Sequence, residues 1–324
     1  GGLSLSVSGY PFYGSDIGGY REDLPTSEAL LRWAEVAALG TIMQLGGGGP
    51  SHNPWDTTLF APEALAIYQR YARLHMALVP TLYSLAWVAG LNGTPVTRPT
   101  RFVYPDATSD DATFLLGHDV FVAPVVTEGA TTRAVVLPPG RWIDWWTGAL
   151  SVGDGVVEEI VDASLDTLPL WRRANVFVAL FARDADTLVP ASAPTVRSYA
   201  DPAYGRELRL WITPDAQASV DPAIELYDGA SASALILANA YQVVVTAGTA
   251  FEVFTLDIDG RAADAPAILA PTRIEASAAL LPEVLDDAAL AACASPGCWL
   301  FDATPARLRV RVYADLGAVT MRIE

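Results

Sequence analysis

No lysine occurs anywhere in this sequence: its 20 basic residues are all arginines. Schiff-base chemistry and a lysine-dependent phosphate loop are therefore excluded, so the glycine-rich stretch at residues 46–49 is not a phosphate cradle. Positive charge is scarce as well, with 20 basic against 37 acidic residues and a formal net charge of -17. Such a chain repels phosphate backbones and anionic lipid surfaces, which excludes nucleic acid as a partner. Histidine appears three times and cysteine twice, with no His-Glu-x-x-His pattern, Cys/His cluster or EF-hand loop, so neither a catalytic metal nor any other cofactor is expected. No apolar run reaches the ~18 residues that a membrane span needs, and no signal-peptide or twin-arginine start is present.

Apolar residues are plentiful instead. At 52% hydrophobic content over 324 residues the chain can bury a large core, and its length suits two or three domains. The pattern changes character near Gly90. Before it, a short apolar run at residues 8–13 leads into a Gly-rich corner. A helix is predicted over residues 27–39, with Thr26 or Ser27 as N-cap and Gly40 as its stop. Residues 41–45 read as a second buried strand. Residues 62–89 carry apolar positions at helical spacing (Leu65, Tyr68, Tyr71, Ala72, Leu78), and Pro80 should kink or divide that helix. Strand, helix, strand, helix is the alternation of a parallel α/β sheet.

From Gly93 onward short strands follow one another between turn signals, at 121–126, 133–137, 141–146, 176–181, 207–212, 234–238, 242–246, 250–256 and 308–313. That is the pattern of β-sandwiches, with a second β-domain starting near Ala182. Residues 277–292 read as loops or a short helix.

Several segments carry a resemblance to a known family. Gly9-Tyr10-Pro11-Phe12-Tyr13-Gly14-Ser15-Asp16-Ile17-Gly18-Gly19-Tyr20 resembles the Asp-Ile-Gly-Gly-aromatic corner that ends a barrel strand in glycoside hydrolase family 31, the α-glucosidase and α-xylosidase type. Ser27 to Trp33 resembles the family's Glu-Leu-x-x-Arg-Trp helix, and Tyr71 to Tyr83 its Arg-Tyr-x-Leu-x-Pro-Tyr-x-Tyr helix. Matches continue in order at Gly93 to Pro99, Leu116 to Val125 and Leu137 to Gly148, with a further Leu-Tyr-x-Asp-x-Gly-like turn at Glu225 to Gly229.

The resemblance implies an α/β plus all-β architecture. Residues 1–90 would be the last two βα units of a (β/α)8 (TIM) barrel, 91–181 a proximal β-sandwich and 182–324 a distal β-sandwich. A complete barrel needs ~200 residues or more, so the other six strands are expected ahead of Gly1. It also implies a retaining hydrolysis of α-linked O-glycosidic bonds in oligosaccharides, by two carboxyl groups about 5–5.5 Å apart. Both belong to strands upstream of the Asp-Ile-Gly-Gly corner, so this chain alone is expected to be inactive, its partners being the missing barrel segment and the glycoside substrate. A non-catalytic carbohydrate-binding or structural β-module, or a family-related lyase or transglycosylase, remains the alternative.

Barrel active sites form at the C-terminal ends of strands, which selects the site candidates. Asp16 lines the sugar pocket or caps its Gly corner, and Tyr20 walls the pocket or merely packs. The family's Met-Arg-x-His stretch is here Met43-Gln44-Leu45-Gly46, so Gln44 replaces the arginine and a glycine the histidine, which leaves the preferred sugar open. His52 could supply a donor from the following loop or be an ordinary solvated histidine, and Trp55 could stack on a sugar or pin the loop. His75, His118 and the Trp145-Trp146 pair read as structural.

Cys293 and Cys298 flank Ala-Ser-Pro-Gly, a turn that can close them into a small disulfide loop; the other reading is two thiols. A bridge would imply a secreted or periplasmic protein.

Overall fold

The computed structural model describes residues 1–21, 24–46, 53–201, 207–217, 222–237, 240–260, 271–304, 306–314 and 317–324. These form two compact units, one of residues 1–76, 85–146 and 151–173, the other of residues 77–84, 147–150 and 174–324.

In the first unit a short helix α1 (Gly2–Ser6) precedes β1 (Asp16–Ile17), α2 (Ser27–Ala38), β2 (Gln44–Leu45), α3 (Ala64–Ala77) and α4 (Val79–Asn92), whose first residues belong to the second unit. β1 and β2 pair in parallel, Asp16 opposite Gln44 and Ile17 opposite Leu45. The strands are shorter than residues 8–13 and 41–45 suggested. Gly9 sits at φ 93 and Pro11 has no N–H to give a ladder, so residues 8–13 turn instead of extending. The register nevertheless begins earlier: the Thr41 hydroxyl accepts from Tyr13 N (2.9 Å) and donates to Tyr13 O (2.8 Å), standing in for a main-chain pair at the same 28-residue offset. At Gly14 the neighbouring chain comes so close that a Cβ would stand 2.5 Å from Ile42 Cβ.

Helix α2 begins where its capping signal lies, with Thr26 Oγ1 accepting from Ala29 N at 3.1 Å. The long helix divides at Leu78, which puts Pro80 in the first turn of α4, where a missing N–H costs no helical bond. The buried line of α3 runs through Ala64, Ile67 and Tyr71; Leu65, Tyr68 and Ala72 are only half-buried, a one-residue rotation of the face that the sequence spacing indicated.

The same unit then folds β3 (Thr97–Pro99), α5 (Thr100–Val103), β4 (Phe114–Leu116), β5 (Val120–Val122), β6 (Thr132–Val136), β7 (Gly140–Asp144), β8 (Leu150–Gly153), β9 (Glu158–Asp162) and β10 (Leu170–Arg173). A six-stranded sheet runs β3-β4-β5-β10-β7-β8, and β6 pairs with β9. Leu115, Phe121, Trp142 and Trp171 from the sheet meet Val135 and Leu137, and each such large side chain stabilises by about 1.5–3 kcal/mol on burial. Trp142 also satisfies its indole by donating to Pro138 O at 2.8 Å.

Helices and sandwich are joined within this unit by side chains of the helices. Arg32, buried, donates to Ala163 O (2.6 Å), Ala130 O (3.1 Å) and Ser164 O (3.2 Å) and ion-pairs with Glu35. Tyr71 Oη donates to Asp166 O and accepts from Leu168 N, with its ring edge-on to Trp146.

The second unit is a sandwich of β11 (Val178–Phe181), β12 (Glu207–Ile212), β13 (Ala223–Glu225), β14 (Ser231–Leu237), β15 (Ala240–Thr246), β16 (Val253–Asp259), β17 (Ile274–Ala276), β18 (Ala279–Leu280), β19 (Gly297–Ala303), β20 (Ala306–Tyr313) and β21 (Ala318–Ile323), with α6 (Asp287–Ala292) before β19. The sheets run β11-β12-β16-β20-β19 and β13-β14-β15-β21-β17-β18. Alternation selects the inner faces: Phe254, Leu256 and Ile258 of β16 and Leu308, Val310 and Val312 of β20 are buried. On the opposite face Asp257 accepts from both Arg209 and Arg307, and Glu207 from Arg311. Cys293 and Cys298 are joined in a disulfide, their Cα atoms 6.2 Å apart.

Among the described residues no single helix is long and apolar enough to cross a membrane.

Candidate functional site

The parallel register places Asp16 and Gln44 side by side at the first paired positions of β1 and β2. Gln44 Nε2 donates to Asp16 Oδ1 at 2.7 Å, which fixes the carboxylate by a neutral partner. The chain then turns through Gly18 (φ 83) and Gly19 (φ 97), conformations that suit residues without a Cβ, and Gly19 N returns to Asp16 O at 2.9 Å. Opposite, Gly46 lies so near that a Cβ there would stand 1.9 Å from Asp16 Oδ1. The Asp16 carboxylate thus occupies the space a side chain at position 46 would need. An ionised carboxylate has about four acceptor positions, so the bond to Gln44 leaves capacity for hydroxyl donors.

Of the other candidates, Tyr20 is 52% exposed, with the Arg21 guanidinium 5.9 Å from its ring centre, and Trp55 is 56% exposed beyond β2. The structure brings Asp16 and Gln44 together; it does not hydrogen-bond or stack Tyr20 or Trp55 onto that pair. His52 lies outside the described residues.

The remaining histidines and the tryptophan pair have structural surroundings. His75 Nδ1 lies 3.1 Å from Ala38 O, and burial lowers its pKa. His118 follows Gly117 in the turn between β4 and β5. Trp145 is buried, and Trp146 donates to Leu168 O at 2.8 Å while the Arg70 guanidinium lies 4.1 Å from its ring. Among the described residues no group of three or more His, Cys, Asp or Glu could hold a metal ion.

Two features escaped the sequence reading. One is the close approach of Gly46 to Asp16, whose only sequence trace is the glycine run. The other is Glu35, whose burial pushes its carboxyl up to about 7 against the pull of Arg32; an Arg and a Glu three apart on a helix facing the core were the available signal. Asp228 of the Leu-Tyr-x-Asp-x-Gly-like turn organises backbone, accepting from Ala230 N, Ala250 N and Phe251 N.

The parallel pair β1–β2 with Asp16 on it thus stands ahead of an antiparallel β-sheet in the same unit. Residues 1–85 match the profile described as "Glycosyl hydrolases family 31 TIM-barrel domain" and residues 93–178 that of the "Glycosyl hydrolase family 31 C-terminal domain". The chain belongs to glycosyl hydrolase family 31. It is 33% identical over 205 residues to "Alpha-glucosidase 2" of Bacillus thermoamyloliquefaciens, covering 61% of this chain and 25% of that protein. It is also 33% identical over 187 residues to "Sulfoquinovosidase" of Escherichia coli, covering 56% of this chain and 27% of that protein. The chain therefore spans about a quarter of the length of these relatives. Among solved structures, the cycloalternan-forming enzyme from Listeria monocytogenes, in complex with a pentasaccharide substrate, superposes with a TM-score of 0.82 at 23% identity, over 100% of this chain and 30% of that one.

Proposed function

We propose that these residues form part of a retaining glycoside hydrolase that cleaves α-linked O-glycosidic bonds of oligosaccharides, and that both catalytic carboxyl groups come from barrel strands outside the 324 residues. The reaction breaks the bond between the anomeric carbon and the leaving oxygen; that oxygen takes a proton, and water finally supplies hydroxide to the anomeric carbon. This chain contributes one side of the sugar pocket. The observation that carries the reading is the Asp16–Gln44 hydrogen bond across the parallel pair β1–β2, beside the loops that follow both strands, from which barrel enzymes build their sites. Asp16 would accept sugar hydroxyls, while Tyr20 and Trp55 would extend the pocket from the two following loops. The disulfide supports a secreted or periplasmic protein. Hydrolysis of 4-nitrophenyl α-glycosides is the test: the full-length protein turns them over with retention, and the 324-residue chain alone does not. Turnover by the isolated chain would show that the carboxyl groups lie within it.

A further inference from the structure

The outer face of the sheet β11-β12-β16-β20-β19 concentrates charge. Its register sets Arg209 beside Thr255, Thr255 beside Arg311, and Asp257 beside Arg309. A cavity of about 200 Å³ opens over these positions, within the second unit. Among the described residues its lining carries the guanidinium groups of Arg183, Arg209, Arg307, Arg309 and Arg311, and Leu290 and Ala291 of α6 give it an apolar wall. That helix is held in place by the packing of Leu290 with Cys298 and Leu300 and by the Cys293–Cys298 bridge.

Hydrogen bonding decides what such a cavity can hold. Asp257, fully buried, accepts from Nε of Arg209 (2.5 Å) and from Nε (2.7 Å) and Nη2 (2.6 Å) of Arg307. Glu207, also buried, accepts from Nε and Nη2 of Arg311 (3.1 Å each) and from the Thr255 hydroxyl (2.6 Å). These bonds nearly fill the roughly four acceptor positions of each carboxylate. Donors are left over. Among the described residues the two Nη groups of Arg209 and Nη1 of Arg307 have no acceptor. Arg183 only approaches Glu207, at 3.6 Å, and Nε of Arg309 is buried without a partner. Burial also holds Arg309 below the ordinary guanidinium value, with Asp257 opposing that shift and Arg209 adding to it. Local charge is balanced: the five arginines face Glu207, Asp257 and Asp287 in the lining, with Asp259 and Asp302 close by. The whole chain carries -17, so a polyanion is repelled at long range, whereas a small ion meets the unspent N–H groups at contact distance.

We infer that this cavity seats one small oxyanion, a carboxylate or a phosphate, between the unspent Nη groups of Arg209 and Arg307, with Arg183 closing the rim. Guanidinium forks match paired oxygens of either group, and the apolar wall of α6 strengthens the attraction by keeping water back. A neutral hydroxyl brings neither the charge nor the second oxygen. Such a site stands independently of the glycosidase reading.

The test is isothermal titration calorimetry on the full-length protein with inorganic phosphate, with malonate and, as neutral control, with glycerol. The wild type is expected to bind phosphate or malonate with a Kd of about 1 mM or below and to give no heat with glycerol; the tighter of the two ions identifies the source of the oxyanion. Arg209→Gln and Arg183→Gln should each weaken that binding by about tenfold, whereas Arg322→Gln, on the other sheet of the same unit, should leave it unchanged. Raising the salt from about 0.02 M to about 0.2 M should weaken it as well. A thermal melt beside each variant shows which are folded, and Arg183, exposed at the rim, decides the matter if Arg209→Gln unfolds. No saturable heat from either ion up to about 10 mM, or binding unmoved in the folded variants, overturns the inference. Glycerol binding of equal strength overturns the assignment to an oxyanion.

Discussion

The Arg32 guanidinium donates to the Ala163 carbonyl at 2.6 Å, so a residue of helix α2 closes the loop that leads into β10 of the sandwich, 131 positions away in sequence. Its other Nη hydrogens serve Ala130 O, Ser164 O and Glu35, while Nε is buried without a partner among the described residues. Replacing it removes a donor from a buried carboxylate and from three carbonyls, of which Ser164 O keeps the Thr167 amide at 2.8 Å. Arg32→Met is expected to cost about 3–5 kcal/mol of stability, measured by urea unfolding, with Arg32→Lys recovering little because one ammonium cannot reach all four acceptors.

Glu35 makes stability depend on pH. Its carboxyl is raised to about 7 by burial, so the folded state holds this proton more tightly than the unfolded chain. The stabilisation from that proton is fully present below the ordinary glutamate value of 4.5 and is lost as pH rises through about 7. The difference amounts to roughly 3 kcal/mol at most. Glu35→Gln should flatten the fall in melting temperature as pH rises from about 5 to about 8, the test being a set of melts across that range. An unchanged slope would mean that another group carries it.

Tyr71 offers a milder version of the same joint. Its hydroxyl both donates to Asp166 O at 3.0 Å and accepts from the Leu168 amide at 2.8 Å. Tyr71→Phe leaves the Leu168 amide without its acceptor, while Asp166 O keeps the Arg70 guanidinium at 2.9 Å, and should cost about 1–3 kcal/mol, read as a lower urea midpoint with an unchanged m-value.

In the second unit the Cys293–Cys298 bridge spans five positions and stands beside Arg311, which donates to Cys293 O at 2.6 Å. Closing so short a loop is worth about 2 kcal/mol through the unfolded chain. The double variant Cys293→Ser, Cys298→Ser should lower the melting temperature of this unit, and the wild type under reducing agent should fall to the same value.

Much of this organisation was legible in the residues. Thr26 announced the start of α2 and Pro80 the division of the long helix, because capping and a missing N–H act locally. The strands at 207–212 and 308–313 were legible too, β12 matching its predicted bounds and β20 beginning two residues earlier. The shortened strands were not legible, since the run of apolar residues at 8–13 says nothing of Gly9 turning at positive φ, nor of Thr41 lending its hydroxyl to Tyr13. At the site, the resemblance selected Asp16 and Gln44, but their hydrogen bond depends on a 28-residue register between two strands, and the proximity of Gly46 to Asp16 depends on the same register. Arg32 was visible as a motif residue; its acceptors on the far side of the sequence were not.

The central claim is that the Asp16 carboxylate holds the sugar. Its most direct test is kcat/KM for 4-nitrophenyl α-glucoside in the full-length protein, wild type against Asp16→Asn. The account predicts a loss of roughly 10–100-fold with an unchanged melt, the size expected when a charged hydrogen-bond acceptor to substrate is neutralised. Wild-type efficiency in a folded Asp16→Asn protein would contradict it.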